Sequence, residues 1–228
     1  VSDQSRRAVK KAQTRAHVRD TAQQLFSERG FDAVPIAEVA AAAGVAVQTV
    51  FNHFATKEEL YWADRTPWVD APAAAVRQRP AGVPALTALR EHLVESVGRF
   101  VERLADPTSR CTIADLTRSP ALQASERELH HTAEARLREA LVEAWTDPDA
   151  DERVPADPRT AAAVVAATWL AVTRILVTTP RNPLPAPEDA AAVAAESRTL
   201  AERLLTRYEA ELVSTVLADV TVPALRAV

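Results

Sequence analysis

Only four glycines punctuate 228 residues, and this scarcity constrains the fold more than any other feature. Tight hairpin turns require left-handed backbone that glycine supplies most readily. A chain with so few, and so rich in alanine, favours long helices. The apolar periodicity agrees, because its period is 3.6 nearly throughout and no stretch reads as a defensible strand. An all-α fold is expected. The length suits one large domain or two small ones, with room for a real core.

The helices can be placed from their apolar stripes and their stop signals. Residues 14–29 carry Val18, Ala22, Leu25 and Phe26 at helical spacing, and Gly30 stops the run. Pro35 fits a first helical position and opens a short helix that ends at Gly44. A third helix spans Val47 to Phe54. Thr56 and Glu59 have the spacing of a capping box for a fourth, running to about Arg65. A proline-rich break follows at Pro67, Pro72, Pro80 and Pro84. Beyond it, long amphipathic helices are expected over about 85–105, 121–146, 159–178 and 188–217, with a short one near 108–118. Residues 147–158 and the stretch from Thr179 to Asp189 read as loops, and the last residues, VTVPALRAV, as a frayed end. Two domains follow, 1–62 and 63–228.

Three short helices with a glycine turn between the second and third form a helix-turn-helix pattern. On the third helix Val47, Val50 and Phe54 should face the core. Gln48 and Asn52, and Thr49 and His53, are pairs four apart that share the outer face. Amides and hydroxyls on such a face suit the major groove of DNA, since Gln and Asn meet adenine with two hydrogen bonds and Thr meets a base edge or a thymine methyl. His53 and Lys57 would lie towards phosphates. The start of the fourth helix offers further N–H donors.

Charge points the same way. The net charge is −4, but residues 1–57 carry eight basic against five acidic groups, +3, leaving −7 for the rest. Six of those basic groups lie in the first 19 residues. A basic end on an acidic body favours a polyanion at that end.

The ordered set Phe26, Gly30-Phe31, Ala40, Ala43-Gly44-Val45, Thr49, Phe54, Lys57 and Leu60 resembles the N-terminal DNA-binding domain of the TetR family of bacterial transcriptional regulators, over about residues 14–62. The resemblance implies a cytoplasmic all-α homodimer. It would place its third helices in successive major grooves of a palindromic operator, as a repressor released when a small molecule binds a helical C-terminal ligand-binding and dimerisation domain. It places Gln48, Thr49 and Asn52 in the groove and His53 and Lys57 at phosphates. Phe51 stands where the family often has a phosphate-binding Tyr. Ala46 and Pro35 replace hydroxyl residues near the starts of the third and second helices, which removes caps worth about 0.5–2 kcal/mol each. Arg6, Arg7, Lys10, Lys11 and Arg15 are expected to compensate with phosphate or minor-groove contacts.

For the second domain, the polar candidates for a ligand are His92, Ser96, Arg99, Arg103 and Arg174, with Trp145 and Trp169 as aromatic walls. Arg174 is the only charge between Ala161 and Thr179. The dimer contact is expected on the 159–178 helix, itself buried on most sides, and on the last helix around Val193, Leu200, Leu204, Leu205 and Tyr208. His130-His131 lacks companions for a metal site, and no cofactor is expected. No nucleophile–base set, phosphate loop or metal spacing suggests an enzyme. The competing reading is an all-α carrier or scaffold for an apolar molecule that never meets DNA. With no run of about 18 uncharged apolar residues, no apolar N-terminal leader and a lone Cys111, a reducing cytoplasm without a membrane partner is expected.

Overall fold

A computed structural model describes residues 3–147 and 154–215. The frayed end expected from Val220 onward, the last two residues of the expected final helix and most of the loop before Pro155 lie outside the described residues. Every regular element among the described residues is helical.

The chain forms two compact units. The first contains residues up to Pro67 together with Pro107–Arg127; the second contains Trp68–Asp106 and the chain from Glu128 onward.

In the first unit, α1 spans Asp3–Arg29, α2 Ile36–Ala42, α3 Val47–Phe51 and α4 Lys57–Trp62. α1 begins eleven residues before the start expected at residue 14. Residues 5–13 are all exposed, so this extension is carried by good helix formers such as Ala, Arg, Lys and Gln rather than by burial. Pro35 is the N-cap of α2, not its first helical residue, and makes no side-chain cap. Between α2 and α3, Gly44 takes φ +64°, while Gly44 N–H donates to Ala41 O at 3.1 Å and Val45 N–H to Ala40 O at 3.0 Å. That left-handed residue turns the chain into α3.

Val18, Ala22, Phe26, Phe31, Val39, Val50, Phe54, Leu60 and Tyr61 are buried in this unit. Phe31 packs edge-on against Tyr61 at 5.2 Å and tilted against Phe26 at 5.4 Å, geometries that aromatic quadrupoles favour. α7 (Pro107–Arg118) closes the unit with buried Ile113 and Leu116. Ser119 Oγ donates to Asp32 Oδ1 at 2.8 Å, and Tyr61 Oη to Thr112 O at 3.4 Å. Phe31 N–H donates to the Asp115 carboxylate, whose pKa is raised, chiefly by burial. Burial likewise pushes the Tyr61 phenol up to about 12.

The second unit contains α5 (Pro67–Arg77), α6 (Ala85–Glu102), α9 (Pro158–Thr178) and α10 (Ala190–Thr215). α8 (Pro120–Thr146) begins in the first unit and contributes its residues from Glu128 here. α5 falls where a break was expected. Pro67 opens it and Pro72 sits inside it, its missing N–H outweighed by an apolar face of Val69, Pro72, Ala73 and Val76 that is buried. Leu86, Leu89, Leu93, Leu137, Leu141, Trp145, Val165, Trp169 and Leu205 belong to one core. α9 starts on Asp157, whose carboxylate accepts from the N–H groups of Arg159 and Thr160, both at 3.1 Å.

α6 and α10 run along each other more extensively than any other pair. Gly98 leaves room for the Arg198 side chain at this contact: a Cβ there would collide with it. Arg198 spans the contact, donating to Glu102 at 2.8 Å and pairing with Glu95 at 3.5 Å. Arg90 joins the same helices through Glu202 and through Glu209 at 2.9 Å.

α9 is less enclosed than its composition suggests. Ala161, Ala162, Val165, Ala166 and Trp169 are buried, but Val164 and Ile175 are 40% and 59% exposed. One side faces the core and the other lies open. The stretch Pro158–Arg181 is long and apolar enough to cross a membrane by length and composition, but Arg174 interrupts it, so no run of about 18 uncharged residues occurs there. Its buried face marks it as a core helix of this unit.

Candidate nucleic-acid interface

α3 is only five residues long, continued by turn bonds from His53 N–H and Phe54 N–H to Val50 O at 3.0 and 2.9 Å. Val50 and Phe54 are 1% exposed and anchor it. Val47, expected in the core, is 40% exposed because it occupies the first turn, ahead of the point where the apolar stripe meets the core. Ala46 is the N-cap and gives no side-chain bond.

The outward face carries the residues the sequence placed there. Gln48, Phe51 and Asn52 are exposed, and Thr49 and His53 are half-buried. Gln48 Nε2 donates to Asn52 Oδ1 at 3.2 Å, as a helical pair four apart can. Phe51 is 44% exposed and brings no hydroxyl to this face.

His53 sits beside the α1 extension. Its pKa is lowered, first by burial and then by the charges of Lys11 and Arg15, so the neutral ring prevails at neutral pH. Its Nδ1 is buried without a hydrogen-bond partner among the described residues. The Arg15 guanidinium lies 4.2 Å from the centre of the Phe54 ring, a cation–π contact that ties α1 to the end of the α3 turn. Lys11, Arg15 and His53 therefore form a basic margin to the polar face. Arg6, Arg7 and Lys10 are exposed further along α1.

Lys57 and the start of α4 differ from expectation. The Lys57 ammonium lies 4.2 Å from the centre of the Phe31 ring and 5.8 Å from that of Phe26, and burial lowers its pKa. It packs over the aromatic cluster, a role hidden in the sequence because Phe31 is 26 residues away. The capping box forms: Glu59 N–H donates to Thr56 Oγ1 at 3.0 Å, and Ala55 N–H to Glu59 Oε2 at 2.7 Å. Glu59 N–H is therefore occupied, and Glu58 and Glu59 place negative charge at the helix start. That end is a poor anion site.

In the second unit none of the ligand candidates lines the surface groove between α8 and α9. Trp145 and Trp169 are core residues, 3% and 0% exposed. Arg99, Arg103 and Arg174 are exposed, so Arg174, expected to need a partner inside an enclosed helix, projects from the open side of α9. His92 and Ser96 are half-buried, with Ser96 Oγ 3.3 Å from His92 Nε2; the His92 pKa is lowered, chiefly by burial. The groove itself measures about 690 Å³ and is lined by residues including Arg138, Val142, Arg159 and Val164.

For the dimer candidates, Leu205 is fully buried in its own chain and is unavailable to a partner. Leu200 and Tyr208 are exposed, and Val193 and Leu204 are half-buried. His130 packs tilted against Trp68 at 4.8 Å between ring centres. Among the described residues no group of three His, Cys, Asp or Glu side chains is placed to hold a metal.

Residues 18–63 match the family model described as bacterial regulatory proteins, tetR family. A stretch of 61 residues is 36% identical to the putative mycofactocin biosynthesis transcriptional regulator MftR of Mycobacterium tuberculosis; it makes up 27% of this chain and 31% of that relative. The chain thus matches about a third of that relative's length. Among solved structures, the SmeT–triclosan complex is 23% identical, with a TM-score of 0.51 over 92% of this chain and 95% of SmeT. SmeT is the repressor of the Stenotrophomonas maltophilia multidrug efflux pump SmeDEF. NalD, the secondary repressor of the MexAB-OprM multidrug efflux pump in Pseudomonas aeruginosa, is 21% identical, with a TM-score of 0.50 over 82% of this chain and 95% of that one. These two are likenesses of fold.

Proposed function

We propose that this chain, whose residues 18–63 carry the N-terminal domain sequence of the tetR family, is a DNA-binding transcriptional regulator. In this reading it is a cytoplasmic repressor that binds a palindromic operator as a homodimer and leaves it when a small molecule binds the second unit. The observation that carries the reading is the outer face of α3: Gln48, Thr49 and Asn52 point away from a core anchored by Val50 and Phe54, beside the basic margin of Lys11, Arg15 and His53.

The α1 extension refines the expected role of the N-terminal basic groups. A helix is about 10–12 Å across with its side chains, and the minor groove is about 6 Å wide. Arg6, Arg7, Lys10 and Lys11 therefore meet phosphates rather than the minor-groove floor. Lys57 supports the aromatic core and reaches a phosphate only by leaving the Phe31 ring.

Dimerisation is supported by the open apolar sides of two helices, Val164 and Ile175 on α9 and Leu200 and Tyr208 on α10. Two helices from each subunit make a four-helix contact, which sets the half-site separation of about 34–36 Å that successive major grooves require. The effector site is supported by the surface groove between α8 and α9, whose lining includes Arg138, Val142 and Arg159. A ligand that favours the wrong spacing by a few kcal/mol suffices to release the DNA.

The test is footprinting of the full chain on the DNA flanking its own gene. One protected palindrome, with half-sites one helical turn apart, is expected, and an effector found by thermal-shift screening is expected to remove the protection. Absence of protection at low salt would refute the reading.

A further inference from the structure

The outward face of α3 has a composition that selects among bases. Between Arg29 and Lys57 the sequence contains no lysine and no arginine. The commonest specific base contact is Arg or Lys donating to guanine O6 and N7, and α3 has no side chain that makes it. What it presents is two amides, a threonine and two apolar groups, Val47 and Phe51, that are 40% and 44% exposed.

The amides are not independent. Gln48 Nε2 donates one hydrogen to Asn52 Oδ1 at 3.2 Å. That bond orients the Gln48 amide, and with the hydrogen anti to Oε1 given to Asn52 the remaining N–H lies beside the carbonyl oxygen. Those two groups match the N7 acceptor and N6 donor of adenine in the major groove. Asn52 keeps both Nδ2 hydrogens for a neighbouring acceptor such as thymine O4. Phe51 and Val47 offer no polar atom, so a cytosine amino group or guanine oxygen pressed against them loses water without compensation. A thymine methyl fits them.

We propose that α3 reads A·T pairs, with Gln48, oriented by Asn52, taking adenine and with Phe51 and Val47 taking thymine methyls. The half-site under α3 is accordingly A·T-rich at its contacted positions. The proposal rests on the reading of the chain as a DNA-binding regulator.

Selection of duplexes from a random library by the full chain tests it, followed by titrations of the wild type, Gln48→Ala and Phe51→Ala on the enriched site. Both substituted side chains are exposed, and circular dichroism checks that the variants are folded. The enriched half-sites are expected to carry A·T at adjacent contacted positions. One A·T to G·C exchange at the Gln48 position should weaken wild-type binding about tenfold or more, within the range of a good bidentate contact. Gln48→Ala should bind the two duplexes within about threefold. Replacing by uracil only the thymine under Phe51, which removes only the methyl, should weaken the wild type and leave Phe51→Ala unaffected. Half-sites with guanine at the contacted positions, or base preferences that survive Gln48→Ala and uracil exchange, overturn the proposal alone. A chain that enriches no duplex overturns the DNA reading and this proposal with it.

Discussion

At His53 the arrangement of charges makes a pH signature. Free, the ring's pKa lies below 6.5, first through burial and then through Lys11 and Arg15. A DNA phosphate opposes that repulsion, so the bound-state value is higher than the free one. Between the two values binding takes up a proton, and affinity rises as pH falls; above both it is flat. Folding shows the opposite sign: the contribution of the neutral ring is present above 6.5 and is lost as pH falls through the lowered value. Operator affinity measured from pH 8 down to pH 6 is expected to rise, and His53→Ala to flatten the profile. Identical profiles for the two proteins would remove His53 from the contact. Residue-level reading of the sequence placed Gln48, Asn52 and His53 on one face, because helical spacing alone decides that. It placed Lys57 differently from the structure, because a lysine over two aromatic rings depends on a tertiary contact.

At the scale of elements, what each helix buries explains what was legible. α2 and α3 could be read because a glycine turn separates them, and α4 because Thr56 and Glu59 cap it. The start of α1 and the whole of α5 could not: the first has no buried stripe, and the second has two prolines that the pattern treats as breaks. The contact of α6 with α10 at Arg198 was equally hidden, since Gly98 is one residue among an otherwise ordinary amphipathic run. It yields a stability prediction. Gly98→Ala forces the Arg198 side chain aside and disturbs its pairs with Glu95 and Glu102. That displacement offsets part of the roughly 0.5–1 kcal/mol that Ala gains over Gly inside a helix, so Gly98→Ala should stabilise by less than that. Arg198→Ala alone loses partly exposed ion pairs worth about 0–1 kcal/mol. The double variant should therefore be more stable than the sum of the two, since its clash is gone. Additive melting shifts would show that the two residues do not meet.

For the molecule as a whole, the proposed reading divides the labour between a first unit that reads and a second unit that senses and pairs. The sequence expresses this as charge, with +3 in residues 1–57 on an overall −4 chain. It did not express the return of α7 to the first unit, where Ser119, Asp115 and Thr112 bond to Asp32, Phe31 and Tyr61. These partners lie 51–87 residues apart, beyond any local pattern. If that reading holds, the basic end of this chain holds duplex DNA through its phosphates. The salt dependence of binding tests it most directly, because each phosphate neutralised contributes about −0.9 to the slope of log affinity against log salt concentration. The full chain is expected to give a steep negative slope on its operator, and a chain lacking residues 1–11 a weaker affinity and a slope shallower by about two to four. An operator affinity indifferent to salt, or a slope unchanged by the deletion, would contradict that claim.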